Sequence, residues 1–208
     1  LNKIIFLNNA NVPYAEVMLD HNIHFAGTHG VGKSTVLRAL LFFYNADKMK
    51  LGIQSGQKSF EEFYFRHSNS YIVYEVRTGQ SAYSILLSRS QGKIVYRFID
   101  APYRKEWLLS KDGRVESDWI RIREHIGNSV DISAKIDTYE LYRNIIFGNT
   151  HDRSHRYDKY AIVESSKYHN IPRSIQNVFL NSKLDADFVK TTIIQSMVES
   201  EHSIRLND

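Results

Sequence analysis

The first part of the chain alternates apolar and polar positions in a pattern that predicts β-strands. A β-branched and aromatic run at 3–7 ends in an asparagine-rich stretch and Pro13, which predicts a strand followed by a turn. Apolar residues then alternate through 15–19 and, after a polar break, return at Ile23 and Phe25. We therefore expect a β-hairpin whose last strand, 21–26, runs directly into a glycine-rich loop.

The pattern changes to helical spacing immediately after this loop. Between 33 and 44 apolar residues recur every three or four positions, and Asn45 stands near the point where the pattern stops. The apolar positions are Val36, Leu37, Leu40, Leu41 and Tyr44. The spacing predicts an amphipathic helix over 33–44 with one face in the core.

Three β-rich runs follow in the middle of the chain, at 71–76, 83–87 and 93–99. Short turn-forming stretches containing glycine separate them, which predicts an antiparallel meander. Two later segments, 137–147 and 184–198, have the spacing of helices. The chain is therefore expected to have an α/β fold.

Composition narrows the class of protein without identifying it. The chain has 208 residues, of which 42% are hydrophobic and 24% charged, so we expect one globular domain over 1–208. The absence of cysteine excludes a disulfide scaffold and thiolate metal sites. No apolar run reaches the roughly 18 residues that a membrane helix needs, and no export signal opens the chain, which predicts a cytoplasmic protein with no membrane partner.

The ends and the net charge of the chain add two weaker indications. Because the sequence begins with Leu1 and stops at Asp208 in a polar stretch, we expect it to be a segment of a longer polypeptide. The formal net charge of +4 permits an anionic partner, although such an excess is also common in proteins that bind none.

One motif carries specific chemistry. The stretch 27–34 matches the P-loop pattern G-x-x-x-x-G-K-[ST], and it lies where that pattern must lie, after a predicted strand and before a predicted helix. Its glycines let consecutive backbone N–H groups point inward, and the helix N-terminus adds its positive dipole end. The nucleotide-binding residues predicted on this basis are Gly27, Thr28, His29, Gly30, Val31, Gly32, Lys33, Ser34 and Thr35.

The motif implies two cofactors, ATP and Mg²⁺. Lys33 is expected to reach the β- and γ-phosphates, and the Ser34 hydroxyl to complete the coordination of the Mg²⁺ ion. The alternative is a glycine-rich corner without a nucleotide, but a Lys-Ser pair after three glycines is a poor choice for merely turning the chain.

The acidic strand end that normally completes such a site is not evident in the sequence. The nearest candidates are Glu75, Asp100 and Glu164, each at the end of an apolar run, and each departs from the usual four apolar residues followed by Asp. Acids at solvated strand ends are the better explanation of all three. The catalytic residues are therefore unknown at this point.

The P-loop stretch and its surroundings resemble the N-terminal half of the head of the SMC-like, ABC-class ATPases, which include condensin-type, MukB-type and double-strand-break-repair proteins. Residues 22–43, NIHFAGTHGVGKSTVLRALLFF, are similar to the family pattern I-x-G-x-N-G-x-G-K-S-T-x-L-x-A-I-x-F, with His29 in place of the usual Asn. A second stretch, Asn177–Asn181, is similar to the segment that leads into the family's Q-loop, with Gln176, Asp185 and Asp187 as candidate residues near the metal.

The resemblance implies a fold and a function. The fold is a P-loop NTPase-like mixed sheet with an additional antiparallel β region, forming a partial ATPase head. The signature motif, Walker B and D-loop of such proteins lie in a C-terminal lobe, so hydrolysis would require that lobe of the same polypeptide and pairing with a second head as a homodimer. ATP-driven work on DNA, in repair, chromosome organisation or defence, is the implied role, and this segment alone is expected to be inactive.

Several weaker groups of residues have both a functional and a plain interpretation. His151 and His155 have a spacing that could serve a metal, although an exposed polar loop explains them better. The stretch 89–123 has nine basic residues and five acidic ones, which fits either a phosphate backbone or solvated strand edges. Asn8, Asn9 and Tyr14 could touch a base or sugar, or simply form a turn.

Two other functions remain open. A small-molecule or nucleoside kinase shares the P-loop, but it needs a lid that the β-rich middle of the chain does not suggest. A nucleotide-regulated DNA-binding scaffold without hydrolysis is the third possibility.

Overall fold

The computed structural model describes residues 1–20, 32–45, 51, 53, 56–79, 81–150 and 155–162. These ranges contain five strands: β1 (Lys3–Asn9), β2 (Val12–Met18), β3 (Tyr71–Thr78), β4 (Ser81–Ser90) and β5 (Lys93–Ile99). Four α-helices accompany them: α1 (Lys33–Asn45), α2 (Phe60–Tyr64), α3 (Trp119–Ile126) and α4 (Tyr139–Ile146). Short 3₁₀ turns occur at Lys105–Trp107 and Asp158–Tyr160.

The five strands form one sheet in the order β2-β1-β3-β4-β5, with every neighbouring pair antiparallel. The register places Phe6 opposite Ile72, and Ile72 opposite Leu87, so apolar side chains from adjacent strands share one face. Both faces of the central strands are covered. For this reason the sequence of β3 is almost continuously apolar and does not alternate strictly between apolar and polar residues.

Helices α1, α2 and α4 pack on the first face of the sheet. The core on this face is rich in aromatic side chains, with Phe42 stacked on Phe60 at a centroid distance of 4.3 Å and Tyr96 stacked on Tyr142 at 4.4 Å. Phe42 and Phe43 of α1 are buried, so the predicted apolar face of this helix is the face that meets the sheet.

The segment 100–132 covers the second face of the sheet. Trp107, Leu108, Ile122 and Ile126 pack there against the strands, and α3 begins with Asp118, whose side chain accepts the backbone N–H of Ile120 at 2.9 Å. Residues 131–136 then run along the outer edge of β5. Backbone hydrogen bonds between Tyr96 and Ile136 protect that edge from pairing with another chain.

The sequence pattern predicts much of this arrangement. The helix at 33–44, the meander of β3, β4 and β5, and the helix within 137–147 are confirmed. The β4–β5 turn has positive φ at Gln91 and Gly92, 51° and 79°, as a two-residue hairpin turn requires. Segments 21–26 and 184–198 lie outside the described residues, so the mixed sheet and the P-loop fold remain predictions.

Two expectations need correction. Pro13 lies inside β2 rather than in the turn before a strand, because Asn9 already pairs with Val12 and the turn needs only two residues. Proline is tolerated there since β2 is the last strand of the described sheet. The stretch 89–123, interpreted as strand edges, instead forms β5, an irregular cover over the second face and α3.

Candidate functional site

The described part of the P-loop is its last turn, where the chain enters α1. Gly32 has a φ of +89°, a conformation that side chains with a Cβ rarely adopt, and α1 begins at the next residue, Lys33. The first hydrogen bond of the helix joins the Val36 N–H to the Gly32 carbonyl at 3.1 Å. The backbone N–H groups of Ser34 and Thr35 therefore point out of the helix N-terminus.

This N-terminus has the electrostatic character of an anion site. No acidic residue stands in the first turn of α1, so no carboxylate of the helix itself opposes a negatively charged ligand. Ser34 is exposed, and Lys33 and Thr35 are half-buried. A side-chain hydroxyl and a row of backbone donors thus lie together at the positive end of the helix dipole.

Three tyrosine hydroxyls fix the position of α1 against the rest of the molecule. Tyr64 of α2 donates to the carbonyl of Thr35, Tyr74 of β3 to that of Ala39 at 2.7 Å, and Tyr142 of α4 to that of Phe43 at 2.7 Å. The three carbonyls are four residues apart and so lie on one stripe of the helix. Because the donors come from three different elements, the axis of α1 is constrained at both ends and in the middle.

Burial keeps these three hydroxyls in the donating state. The pKa of Tyr64 is raised, chiefly by desolvation, and the pKa values of Tyr74 and Tyr142 lie well above the ordinary value for the same reason. All three side chains are therefore protonated throughout the physiological pH range, and the hydrogen bonds to α1 persist there.

A cavity of about 350 Å³ lies beside the first two turns of α1. Its lining comes from α1, the segment between α1 and α2, α2 itself and the residues just after α2: Arg38, Ile53, Gln57, Lys58, Phe63, Tyr64 and Arg66. Arg38 is one helical turn beyond Ser34, and Arg66 donates to the Asn11 side chain at 3.0 Å, which ties the β1–β2 turn to the cavity wall. Three basic side chains give this cavity a positive surface next to the helix N-terminus.

The predicted nucleotide-binding residues are placed only in part. Gly32, Lys33, Ser34 and Thr35 lie together at the start of α1. Gly27, Thr28, His29, Gly30 and Val31 lie outside the described residues. The structure thus gives the helical end of the motif, and the loop itself stays a prediction.

Glu75, a candidate for the missing acid, has a structural position on the other side of the sheet. Its carboxylate accepts the Asn2 amide N–H at 2.8 Å and the Tyr103 backbone N–H at 3.1 Å, and Lys3 lies 3.9 Å away. The side chain is buried against the second face, whereas α1 packs on the first. Glu75 therefore does not reach the N-terminus of α1.

The remaining acidic and histidine candidates that the structure describes, Asp100 and His155, form contacts of their own at the surface. Asp100, at the end of β5, accepts a hydrogen bond from Lys159 and is exposed. His155 lies 2.8 Å from Asp158 on the surface. Glu164, Gln176, Asp185, Asp187 and His151 lie outside the described residues, and within the described ranges no three His, Asp or Glu side chains form a metal-binding group.

The asparagines and the tyrosine near the first turn have structural roles. Asn9 is buried and donates to the Tyr64 carbonyl at 2.7 Å, Asn8 donates to Asn69 at 2.8 Å, and Tyr14 donates to Glu16. Tyr14 packs on the second face of the sheet, away from α1. The turn interpretation of these residues is wrong in detail, because Asn8 and Asn9 end β1 and Tyr14 lies within β2, so that the turn itself consists of residues 10 and 11. The side chain of Asn9 holds the helix that carries Tyr64.

Sequence reasoning missed the three tyrosines that position α1. Their apolar neighbours gave them the appearance of ordinary core residues, and nothing in their spacing distinguishes a hydroxyl that bonds a helix carbonyl from one that does not. The useful signal would have been composition: 13 tyrosines in 208 residues is a high number for a core that could use phenylalanine.

Comparison with known proteins gives one match. A family model described as "Protein of unknown function (DUF3584)" matches residues 8–207, nearly the whole chain. No curated protein and no solved structure matches the chain significantly. Among the described helices, none combines the length and the apolar character needed to cross a membrane.

Proposed function

We propose that this chain, which belongs to the DUF3584 family, binds ATP and Mg²⁺ through residues 27–35 as the N-terminal lobe of an SMC-like ATPase. The observation that carries the proposal is the junction at Gly32. There a left-handed glycine leads without interruption into α1, whose first turn offers backbone N–H groups and the exposed Ser34. This is the local geometry that a P-loop sequence needs at its helical end.

Each residue at the junction has a distinct task in this proposal. The backbone N–H groups of the first turn hold phosphate oxygens, Lys33 neutralises the β- and γ-phosphate charge, and the Ser34 hydroxyl binds the metal. The Ser34 hydroxyl would hold Mg²⁺, which would supply Lewis-acid neutralisation of the phosphate charge. The basic cavity lined by Arg38, Lys58 and Arg66 adds positive potential beside the polyphosphate.

Hydrolysis is proposed to require a second lobe. Glu75 and Asp100 are held by Asn2, Tyr103 and Lys159, so neither is available to orient water at the start of α1. The acid, the signature motif and a partner head would come from the rest of the polypeptide and from a second copy, as the SMC-like resemblance implies. The same resemblance supports DNA as the substrate on which the paired heads act.

The decisive experiment compares two lysines. Calorimetric titration of the chain with ATP and Mg²⁺ should give saturable binding that Lys33→Ala weakens by roughly tenfold or more, because charge-assisted contacts contribute about 1.5–3 kcal/mol. Lys111→Ala, which removes the same charge from an exposed loop, should leave the affinity unchanged. Equal affinity in the wild-type chain and Lys33→Ala would contradict the proposal, as would robust ATP turnover that Lys33→Ala leaves intact.

A further inference from the structure

A second, smaller cavity lies on the face of the sheet opposite to α1. It is a groove of about 180 Å³ between the ends of β4 and β5 on one side and α3 on the other. Its walls are the aromatic side chains Tyr71 and Trp119 and the aliphatic Leu86, Val95 and Ile122. Ser68 and Ser117, which line the groove, are exposed to solvent, so a small group can enter it from outside.

The groove contains a half-buried cation. Arg97 of β5 lines it, and its guanidinium carbon lies 3.9 Å from the centroid of the Trp119 ring, which fixes the orientation of the charged group. Among the residues that the structure describes, Arg97 forms no hydrogen bond and no ion pair. A guanidinium that is half-buried without hydrogen-bond acceptors is less favourable than a fully solvated one, so a ligand that supplies acceptors would stabilise it.

The two acids that flank the groove residue Ser117 in the sequence have other partners. Glu116 accepts the backbone N–H groups of Ser117 and Asp118, both at 2.9 Å, and its other oxygen faces Arg121 at 3.8 Å. Asp118 caps α3. The carboxylates near the groove are thus committed to α3 and its entry loop, and the positive charge of Arg97 remains available.

Serine hydroxyls surround the same groove. Ser88 and Ser90 of β4 lie on the face of the sheet that carries Arg97, since Ser88 pairs with Val95 and Leu86 pairs with Arg97. Ser68 and Ser117 line the groove from the neighbouring loops. Within the described ranges none of these four hydroxyls forms a hydrogen bond. Arg89 also lines the groove, but its guanidinium donates to the Phe65 carbonyl, 3.4 Å away.

We propose that this groove binds a phosphoryl oxyanion. Arg97 offers two parallel N–H donors that match two oxygens of a tetrahedral anion, and the serine hydroxyls supply donors to the others. The phosphoryl group comes either from free phosphate or from the backbone of a nucleic acid, because both present the same oxygens. The groove and α1 lie on opposite faces of the sheet, so this site is separate from the ATP site proposed above and does not depend on it.

Binding in the groove can be measured through the chemical shift of the Trp119 indole N–H, because Trp119 lines the groove. In ¹H–¹⁵N spectra of the labelled chain, inorganic phosphate is added against sodium chloride of equal ionic strength, and the two indole N–H signals are assigned with Trp119→Phe. We expect a saturable shift of the Trp119 signal, while buried Trp107 stays constant. A parallel titration uses a short single-stranded DNA without terminal phosphate. A shift with phosphate indicates a free oxyanion, and a shift with DNA alone indicates a phosphodiester.

Matched variants decide whether the shift comes from this site. Arg97→Met should weaken binding by roughly tenfold or more, and Ser88→Ala/Ser90→Ala by roughly two- to fivefold, as expected for lost charge-assisted and neutral hydrogen bonds. Arg77→Met removes the same charge from the exposed end of β3 and should change nothing. If neither probe gives a saturable Trp119 shift, or if the serine pair and Arg97→Met bind like wild type, the proposal is overturned. ATP binding at α1 would be unaffected by that result.

Discussion

The hydroxyl of Tyr64 donates a hydrogen bond to the backbone carbonyl of Thr35, within the first turn of α1. The backbone of Tyr64 is itself fixed, because the Asn9 side chain donates to its carbonyl oxygen at 2.7 Å. The end of β1, α2 and the N-terminus of α1 are therefore connected by two consecutive hydrogen bonds. This connection makes the position of the candidate phosphate site dependent on residues far from it in the sequence.

Removing the Tyr64 hydroxyl should affect both stability and nucleotide binding. Tyr64→Phe leaves the ring packing and deletes one hydrogen bond, so we expect a loss of about 0.5–1.5 kcal/mol in the free energy of unfolding. The affinity for ATP should fall several-fold, because the first turn of α1 is less well fixed. Denaturant unfolding and calorimetric titration measure the two quantities.

Tyr142→Phe provides the matched control for this experiment. Tyr142 bonds Phe43 near the other end of α1, so its loss should be equally destabilising but should leave the ATP affinity near the wild-type value. If both variants changed affinity equally, the effect would be a general consequence of destabilisation, and the proposed positioning role of Tyr64 would be wrong.

Glu75→Gln tests whether this carboxylate has a structural or a metal-binding role. The amide can offer only one oxygen to the two N–H donors of Asn2 and Tyr103, and its own NH₂ group would face one of them. We expect a destabilisation of about 1–3 kcal/mol from the unsatisfied buried groups. Glu124→Gln on the exposed side of α3 should be neutral.

Nucleotide binding separates the two roles of Glu75. Because the side chain lies on the second face of the sheet, the Mg²⁺ dependence of ATP binding should be the same in Glu75→Gln and wild type. A loss of Mg²⁺ dependence in a variant that is still folded would show instead that Glu75 is a metal ligand.

The sequence predicts the elements of this molecule better than it predicts their contacts. The helix at 33–44 and the three-strand meander follow from local periodicity, which reports which face of an element is buried. The short helix α2 and the irregular cover at 100–118 give no such period, since five residues make little more than one helical turn. The hydrogen bonds of Tyr64, Tyr74 and Tyr142 join residues 29, 35 and 99 positions apart, and no local pattern records them.

Acid should weaken the short helix that carries Tyr64. Glu62 closes a capping box with Ser59, and the hydrogen bond from the Ser59 backbone N–H holds the pKa of this carboxyl below its ordinary value of 4.5. The unfolded chain therefore binds more protons than the folded one between the two pKa values. The contribution of Glu62 to stability is present above about pH 4.5 and is lost as the pH falls through the folded value.

An NMR titration of the Ser59 amide can follow this change. The Ser59 N–H signal should shift with an apparent pKa below 4.5 in wild type and lose that transition in Glu62→Gln. A transition at or above 4.5 would show that the capping box contributes nothing to α2 in solution.

Substitution of Gly32 gives the strongest test of whether the start of α1 binds phosphate. Gly32 has a φ of +89°, and no atom of the described residues lies within 4 Å of where a Cβ would stand, so the expected effect of Gly32→Ala is backbone strain. Strain of this kind is about 1–2 kcal/mol for an L-residue in the left-handed region.

Gly113, in an exposed loop with a φ of +81° and the same open surroundings, gives a control substitution with comparable strain. We expect both alanine variants to lower the free energy of unfolding similarly. Only Gly32→Ala should weaken ATP binding, because relaxation of the strain at this residue tilts the N–H groups of the first turn of α1. Parallel unfolding and titration of the two variants decide the matter. An ATP affinity that Gly32→Ala leaves unchanged would mean that the phosphates, if bound, do not depend on this turn.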